Sequence, residues 1–379
     1  MKILQVFNRY LHAGGEENSV DRIARHLELG GHRVERFRRA SAEWRGPAAP
    51  PRWKQPFLLG NNPHVLHQLL ASHQTLQPDI WILHNVIPVV SLGVYRLALE
   101  AGVPVVQWLH NYRPLSPSGV GTGASYLEET LRGAWRGSRI QTGVLALHYH
   151  RMRRRGDFEA VKAWIPVSDA MRQTFEAADW FPDRLATLRH SWDACQDPGS
   201  GDADDYFLYL GRLIEEKGVR FLIDLFARPE LEHIRLKIAG SGDLEFELRT
   251  HSPPNIEWVG FVAGEAKRRL VRGARAILFP SLWREPLSTV AYEAFEQRRP
   301  IFASDSGGMR EIVEDGVTGR VLAAGDAKAW LAAISGATAD QTRVLGEHGR
   351  EWLMEAVSPE RWNQQFLEII EQKIPTALR

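Results

Sequence analysis

The chain is 379 residues long, too long for one ordinary core, so two domains are expected. Its 44% hydrophobic and 25% charged residues fit a soluble globular protein, and a net charge of +1 excludes the global basic field that would argue for a nucleic-acid partner. A single cysteine, Cys195, excludes an internal disulfide framework and a cysteine-based metal cluster, and a reducing compartment fits.

The apolar run from Met1 to Phe7 is too short for a signal peptide, and nowhere do roughly eighteen apolar residues run together, so a cytoplasmic location is expected. Lys2 to Phe7 reads as a buried strand, Gly14-Gly15 as the turn after it, Ser19 to Leu29 as an amphipathic helix and Arg33 to Phe37 as a second strand. In such a βαβ unit, a glycine pair lets backbone approach a ligand, although a plain tight turn explains it as well and the full G-x-G-x-x-G spacing is missing. Arg45 to Pro63 is proline-rich and is expected to be a long loop. His64 to Leu76 has helical spacing. Ile80 to Leu83 and Pro104 to Leu109 read as buried strands ending at His84 and His110. Ligands of parallel sheets bind beyond the carboxyl ends of strands, so each histidine has either a functional or a structural role there. Between Leu131 and Lys162 basic residues dominate, Arg132, Arg136, Arg139, Arg151, Arg153, Arg154 and Arg155 among them, and either a solvated helix face or a surface for anionic lipid or an acidic acceptor fits. Ala163 to Ser168 is a strand, with Ser168 able to cap the following helix.

Asp197 to Asp205 has linker composition, and a second βαβ pattern begins at once. Strands are expected at Tyr206 to Leu210, Leu236 to Ala239, Ile256 to Val259, Ala276 to Phe279 and Pro300 to Ala303, making a second doubly wound sheet. Arg212 and Lys217 lie on the loop before the helix Val219 to Phe226, where a phosphate would sit. After the strand ending at Phe279 comes Glu285-Pro286-Leu287-Ser288-Thr289, with Glu293 eight residues past Glu285. Pro286 suits a helix's first turn, so Glu285 is expected at the helix mouth and Glu293 roughly 12 Å further along, with free N–H groups facing an anion. Two carboxylates around a phosphate site suit a sugar nucleotide; two solvated surface glutamates are the plain alternative.

These pieces resemble the retaining nucleotide-sugar glycosyltransferases of glycosyltransferase family 4. They are Gly14-Gly15, His110, Pro166-Val167-Ser168, Gly211-Arg212, Lys217-Gly218, Gly240-Ser241-Gly242-Asp243, the pair Glu285 and Glu293, and Ser306-Gly307-Gly308 with Glu311. The resemblance covers nearly the whole chain and is strongest from Tyr206 to Val321. It implies the GT-B fold, two Rossmann-like parallel-sheet α/β domains facing across a cleft. Their expected bounds are residues 1–195, with 359–379 crossing back, and 204–358. It further implies a UDP- or GDP-sugar donor, no metal or protein-bound cofactor, and a glycan or lipid-linked acceptor; peripheral membrane contact through residues 132–162 is expected only from the basic run itself. Arg212 and Lys217 would hold the pyrophosphate, with Leu287, Ser288 and Thr289 completing that site. Glu293 would hold the ribose, Val262 and Lys267 would flank the base, and Glu285 would lie near the transferred sugar. Gly14 and Gly15 would close over the phosphates, and His110 would touch the sugar near its reacting carbon.

Two departures from the family pattern stand out. Gln297-Arg298-Arg299-Pro300 has a charge where a glycine is usual, and His190-Ser191-Trp192-Asp193 replaces the usual Asn-Gly before an Asp, so Trp192 could pack on a donor. Besides transfer, the sequence leaves open an epimerase or hydrolase on the same fold and a non-catalytic sugar-nucleotide scaffold. A NAD-dependent dehydrogenase fits poorly, because the first turn lacks its glycine fingerprint.

Overall fold

A computed structural model describes residues 1–11, 14–120, 123, 125–135, 137–193 and 204–378. Cys195, Arg136 and the part of the linker stretch before Asp204 lie outside the described residues. The chain divides into two compact units, Met1–Ser191 with Pro359–Arg379, and Trp192–Ser358.

The first unit opens with β1 (Lys2–Arg9), α1 (Gly15–Leu29) and β2 (Arg33–Ala40), then α2 (Gln55–Gly60), α3 (Pro63–Leu76) and β3 (Ile80–Leu83). It continues through α4 (Val94–Glu100), β4 (Val105–Leu109), α5 (Tyr126–Arg132), α6 (Arg139–Arg155), β5 (Val161–Pro166) and α7 (Asp169–Ala177). All strand pairs are parallel, in the order β2-β1-β3-β4-β5. Strands of such a sheet are covered on both faces, which is why β3 and β4 are apolar nearly throughout and buried at every residue.

Several boundaries differ from the sequence expectation. Helix α1 starts at Gly15, not Ser19, because Gly14 is extended as its N-cap and Glu16 and Glu17 place acid in the first turn, where the helix dipole favours it. Strand β2 runs three residues further, since β1 pairs with it up to Arg9 opposite Ala40. The supposed long loop at 45–63 contains α2, and Pro63 begins α3 at the position where a missing N–H costs nothing. Ser168 does cap α7, accepting from the Met171 N–H at 3.1 Å.

The second unit comprises β6 (Tyr206–Leu210), α8 (Val219–Phe226), β7 (Arg235–Ala239), α9 (Glu245–Thr250), β8 (Ile256–Gly260) and α10 (Gly264–Gly273). Next come β9 (Ile277–Phe279), α11 (Thr289–Glu296), β10 (Ile301–Ser304), β11 (Gly319–Leu322), α12 (Ala327–Ser335) and α13 (Ala339–Ala356). This sheet is also parallel throughout, ordered β11-β10-β9-β6-β7-β8. Leu222 and Phe226 of α8, Leu236 and Ile238 of β7, and Trp330 of α12 share its core. Between α11 and β10, Arg298 adopts φ +57, a left-handed conformation that costs a non-glycine residue roughly 1 kcal/mol. Its guanidinium pairs with Glu347 of α13, which offsets part of that cost.

The last helix, α14 (Pro359–Lys373), belongs to the first unit. Trp362 stacks on Trp108 at 5.7 Å and donates to the Arg189 carbonyl at 3.0 Å, while the Asn363 amide donates to the His26 carbonyl at 2.7 Å.

Candidate functional site

In the second unit the strand order reverses between β6 and β9, and the loops leaving two such strands diverge to open a crevice. The β6 loop carries Arg212 and Lys217; the β9 loop carries Ser281, Trp283 and Glu285. Gly218 brings the loops together. Its φ is +69, and a Cβ there would lie 2.0 Å from the Pro280 carbonyl oxygen. Next to it the Leu282 N–H donates to the Glu216 carbonyl at 2.9 Å.

That closure seats Lys217 on Glu285. The Glu285 side chain is 3% exposed, and its Oε1 accepts from Lys217 Nζ, from Ser281 Oγ at 2.7 Å and from the Trp283 indole N–H. Three donors converge on one carboxylate oxygen and fix its direction. The backbone of Glu285 is held as well: its carbonyl accepts from Gly308 N–H at 2.9 Å, and a Cβ on Gly307 would come within 2.0 Å of it.

Glu285 is not at the helix mouth. Helix α11 begins at Thr289, and Ser288 is its N-cap, accepting from the Val290 N–H, so Pro286 and buried Leu287 lie in the loop before it. A serine positioned to cap outweighs the preference of proline for a first turn. The 12 Å spacing assumed one helix for both acids, and Glu285 lies outside that helix. Glu293, within α11, pairs with Lys267 of α10 at 2.8 Å, its side chain 16% exposed. The structure thus joins Lys217 to Glu285 and Lys267 to Glu293. Val262 sits part-buried between β8 and α10; Arg212 is exposed and makes no salt bridge among the described residues. Sequence reading missed Ser281 and Trp283 as holders of Glu285, although both sit within four residues of it. Trp192 stacks on Tyr292 at 5.6 Å and is packing, with Tyr292 in turn on Trp352.

The first unit has its own switch, between β1 and β3. Gly14 is extended and Gly15 begins α1, so neither forms the separate turn expected of the pair. Beside them, Glu16 takes a hydrogen bond from the Tyr10 hydroxyl at 2.8 Å, and burial pushes its carboxyl up to about 7 despite Tyr10 and the nearby Arg113. Glu16 lines a small pocket with His84, Asn85, His110, Asn111 and Arg113. The expectation missed Glu16, though it follows Gly15 directly. His84 and His110 form a relay. The Gln5 amide donates to His84 Nε2 at 3.1 Å, so neutral His84 donates from Nδ1 to His110 Nε2 at 3.0 Å. The proton of His110 then sits on Nδ1, which is buried and has no hydrogen-bond partner among the described residues. The His190 ring stacks on His110 at 5.9 Å.

Burial, helped by the charge of Arg38, lowers His84 from its ordinary 6.5 to about 3. His110 is also held well below the ordinary range, first by burial and then by His84 and His190. The unfolded chain takes a proton below pH 6.5 that native His84 refuses until about pH 3. Stability should therefore fall as pH falls through that window, by up to about 1.4 kcal/mol per pH unit for each proton. His84→Gln should make urea melts between pH 6.5 and 4 less pH-dependent; an unchanged slope in the variant would assign the acid sensitivity elsewhere.

Residues 192–352 match the family model described as Glycosyl transferases group 1. The match falls on the second unit and covers less than half of the chain. Among curated relatives, this chain is 32% identical over 129 residues to the uncharacterized glycosyltransferase MJ1607 of Methanocaldococcus jannaschii, covering 32% of each. It is 28% identical over 242 residues to alpha-D-kanosaminyltransferase of Streptomyces kanamyceticus, covering 60% of this chain and 59% of that one. The similarity thus spans about a third of the first relative and three fifths of the second. Among solved structures, Anabaena Alr3699/HepE aligns with a TM-score of 0.69 at 18% identity, covering 98% of this chain and 99% of that one. Sucrose-phosphate synthase from Thermosynechococcus elongatus aligns with a TM-score of 0.72 at 17% identity, covering 99% of both. The group 1 match and these neighbours make the two parallel-sheet units a GT-B fold.

Proposed function

We propose that the chain is a retaining glycosyltransferase that moves a sugar from a nucleoside-diphosphate sugar to a hydroxyl group of a glycan or lipid-linked acceptor. The observation that carries this reading is the buried Lys217–Glu285 pair at the β6–β9 switch, within the residues that match the Glycosyl transferases group 1 model. A pyrophosphate carries more negative charge than one carboxylate and draws Lys217 toward it. Glu285 Oε1 is then released to accept from hydroxyls of the transferred sugar. Arg212 and the N–H groups at Ser288 and Thr289 add to the phosphate site, Glu293 takes the ribose hydroxyls, and Val262 and Lys267 flank the base. In the first unit, the His110 Nδ1–H, without a hydrogen-bond partner among the described residues, suits a sugar oxygen, and the backbone at Gly14 and Gly15 is open to a ligand. The acceptor oxygen bonds to the anomeric carbon as the bond to the β-phosphate oxygen breaks. The electron pair goes to that phosphate oxygen, which takes the acceptor's proton, and attack on the same face keeps the configuration. Fixed cations stabilise the growing charge.

Structures of HepE contain UDP and UDP-glucose, which favours a uridine over a guanosine donor. No helix among the described residues is long and apolar enough to cross a membrane, and contact with one is assigned to the basic stretch 132–162. UDP should raise the thermal midpoint where ADP and NAD do not, because a ligand binding only the native state stabilises it. Labelled UDP-sugars should give transfer product with a hydroxyl acceptor. A response to NAD alone, or free sugar or an epimer as sole product with acceptors present, would overturn the proposal.

A further inference from the structure

We infer that α6, flanked by α2 and α5, is a docking surface for an anionic phospholipid bilayer. The inference rests on the membrane contact proposed above and replaces a charge run with a defined surface. Helix α6 carries Arg139, Arg151, Arg153, Arg154 and Arg155 and no acidic residue. At about 100° per residue, Ile140, Val144, Leu147, Arg151 and Arg154 fall in one stripe. Thr142, Leu145, Ala146, Tyr149 and Met152 form the buried face opposite. Ile140 is 78% exposed and Leu147 46%.

The neighbours on either side add exposed apolar groups and further basic residues, beside the exposed Glu128 of α5. On the helical wheel, Gly143 and His148 fall roughly 60–80° to the two sides of the stripe. Gly143 meets Thr130 of α5, where an added Cβ would lie 3.1 Å from the threonine methyl. His148 meets α2, with Nε2 3.3 Å from the Pro56 carbonyl oxygen. The flanking helices expose Leu127 and Leu131 on α5 and Phe57 on α2, with Trp53 and Lys54 just before α2. From Arg45 to Pro78 there are Arg45, Arg52 and Lys54 and no acidic residue. Arg153 and Arg155 pair with Asp179 and Asp157, but Arg139, Arg151 and Arg154 make no salt bridge among the described residues.

Exposed aliphatic and aromatic side chains among unneutralised arginines match a lipid interface, where apolar groups enter below the headgroups and guanidiniums meet phosphate. A second copy docking on the same face would set five arginines against five. That juxtaposition disfavours self-association.

The test is co-sedimentation of the full chain with vesicles of phosphatidylcholine alone and mixed with phosphatidylglycerol. The mixed vesicles should bind it, less so as salt rises. Replacing both Arg151→Gln and Arg154→Gln should lower the partition coefficient about fivefold each, ~25-fold together. Ile140→Asp with Leu147→Asp should lower it at least roughly tenfold, whereas Phe246→Asp, on α9 of the other unit, should leave it unchanged. Equal binding to neutral vesicles, wild-type binding by the variants, or a dimer that Leu147→Asp dissociates without any vesicle binding would overturn the inference. The UDP thermal shift, measured on the same proteins, reports folding and separates the two readings. Vesicle binding without a UDP response removes the donor site and leaves this surface, and the reverse removes the surface.

Discussion

A Glu285→Gln variant should lose about a hundred- to a thousandfold in kcat with UDP-sugar while still binding UDP. The amide keeps the shape of the carboxylate, and its oxygen can still accept from Ser281 and Trp283. The negative charge facing Lys217 is lost. Breaking a buried pair from one side leaves the other charge uncompensated and costs about 3 kcal/mol of stability. Nucleotide binding moves the other way, since Lys217 is no longer engaged and is available to phosphate. What fails is the step in which the sugar must be held while its bond to phosphate breaks, where removing one fixed electrostatic group typically costs two to three orders of magnitude. UDP titration and turnover, measured on one preparation, separate the two effects. A folded variant with wild-type turnover would remove Glu285 from the chemistry.

The parallel sheets were readable because strands covered on both faces need apolar runs, and Ile80 to Leu83 and Tyr206 to Leu210 supply continuous ones, with Val105 to Leu109 broken only by Gln107. Strand β11 was not readable: Gly319-Arg320-Val321-Leu322 lies at the sheet edge, half-covered, and needs no such run. The two acids at 285 and 293 could be picked out from spacing, but not their partners. Lys217 and Glu285 are far apart in sequence and meet because β6 lies beside β9, an adjacency set by crossovers and not by any local pattern. Pro286 drew the helix start too early for a similar reason. The proline cue is local, while the Ser288 cap depends on where the β9 loop releases the chain. Glu16 has no local signal, since its surroundings, Tyr10 and the Asn111 and Arg113 of the loop after β4, are brought to it by the fold.

Gly218→Ala should disrupt the second unit's site by forcing the β6 and β9 loops apart. The residue has φ +69, and the added Cβ would stand 2.0 Å from the Pro280 oxygen and 2.9 Å from its carbonyl carbon. Both atoms are backbone, so no side chain can swing aside. The left-handed conformation alone costs alanine about 1 kcal/mol, and parting the β6 and β9 loops brings the total to roughly 3 kcal/mol. For a unit of this size that is a midpoint lowered by about 6–12 °C. Because Lys217 precedes Gly218, the same displacement moves its ammonium off the proposed phosphate position, and UDP affinity should fall with stability. Gly14→Ala is the matched control. Gly14 is extended at φ −143 with nothing within 4 Å of an added Cβ, so the backbone accepts alanine there with little loss of stability. Loss of UDP affinity in the Gly14 variant without a change in midpoint would mark a ligand contact. A Gly218 variant that melts with the wild type would show that the two loops do not depend on their close approach.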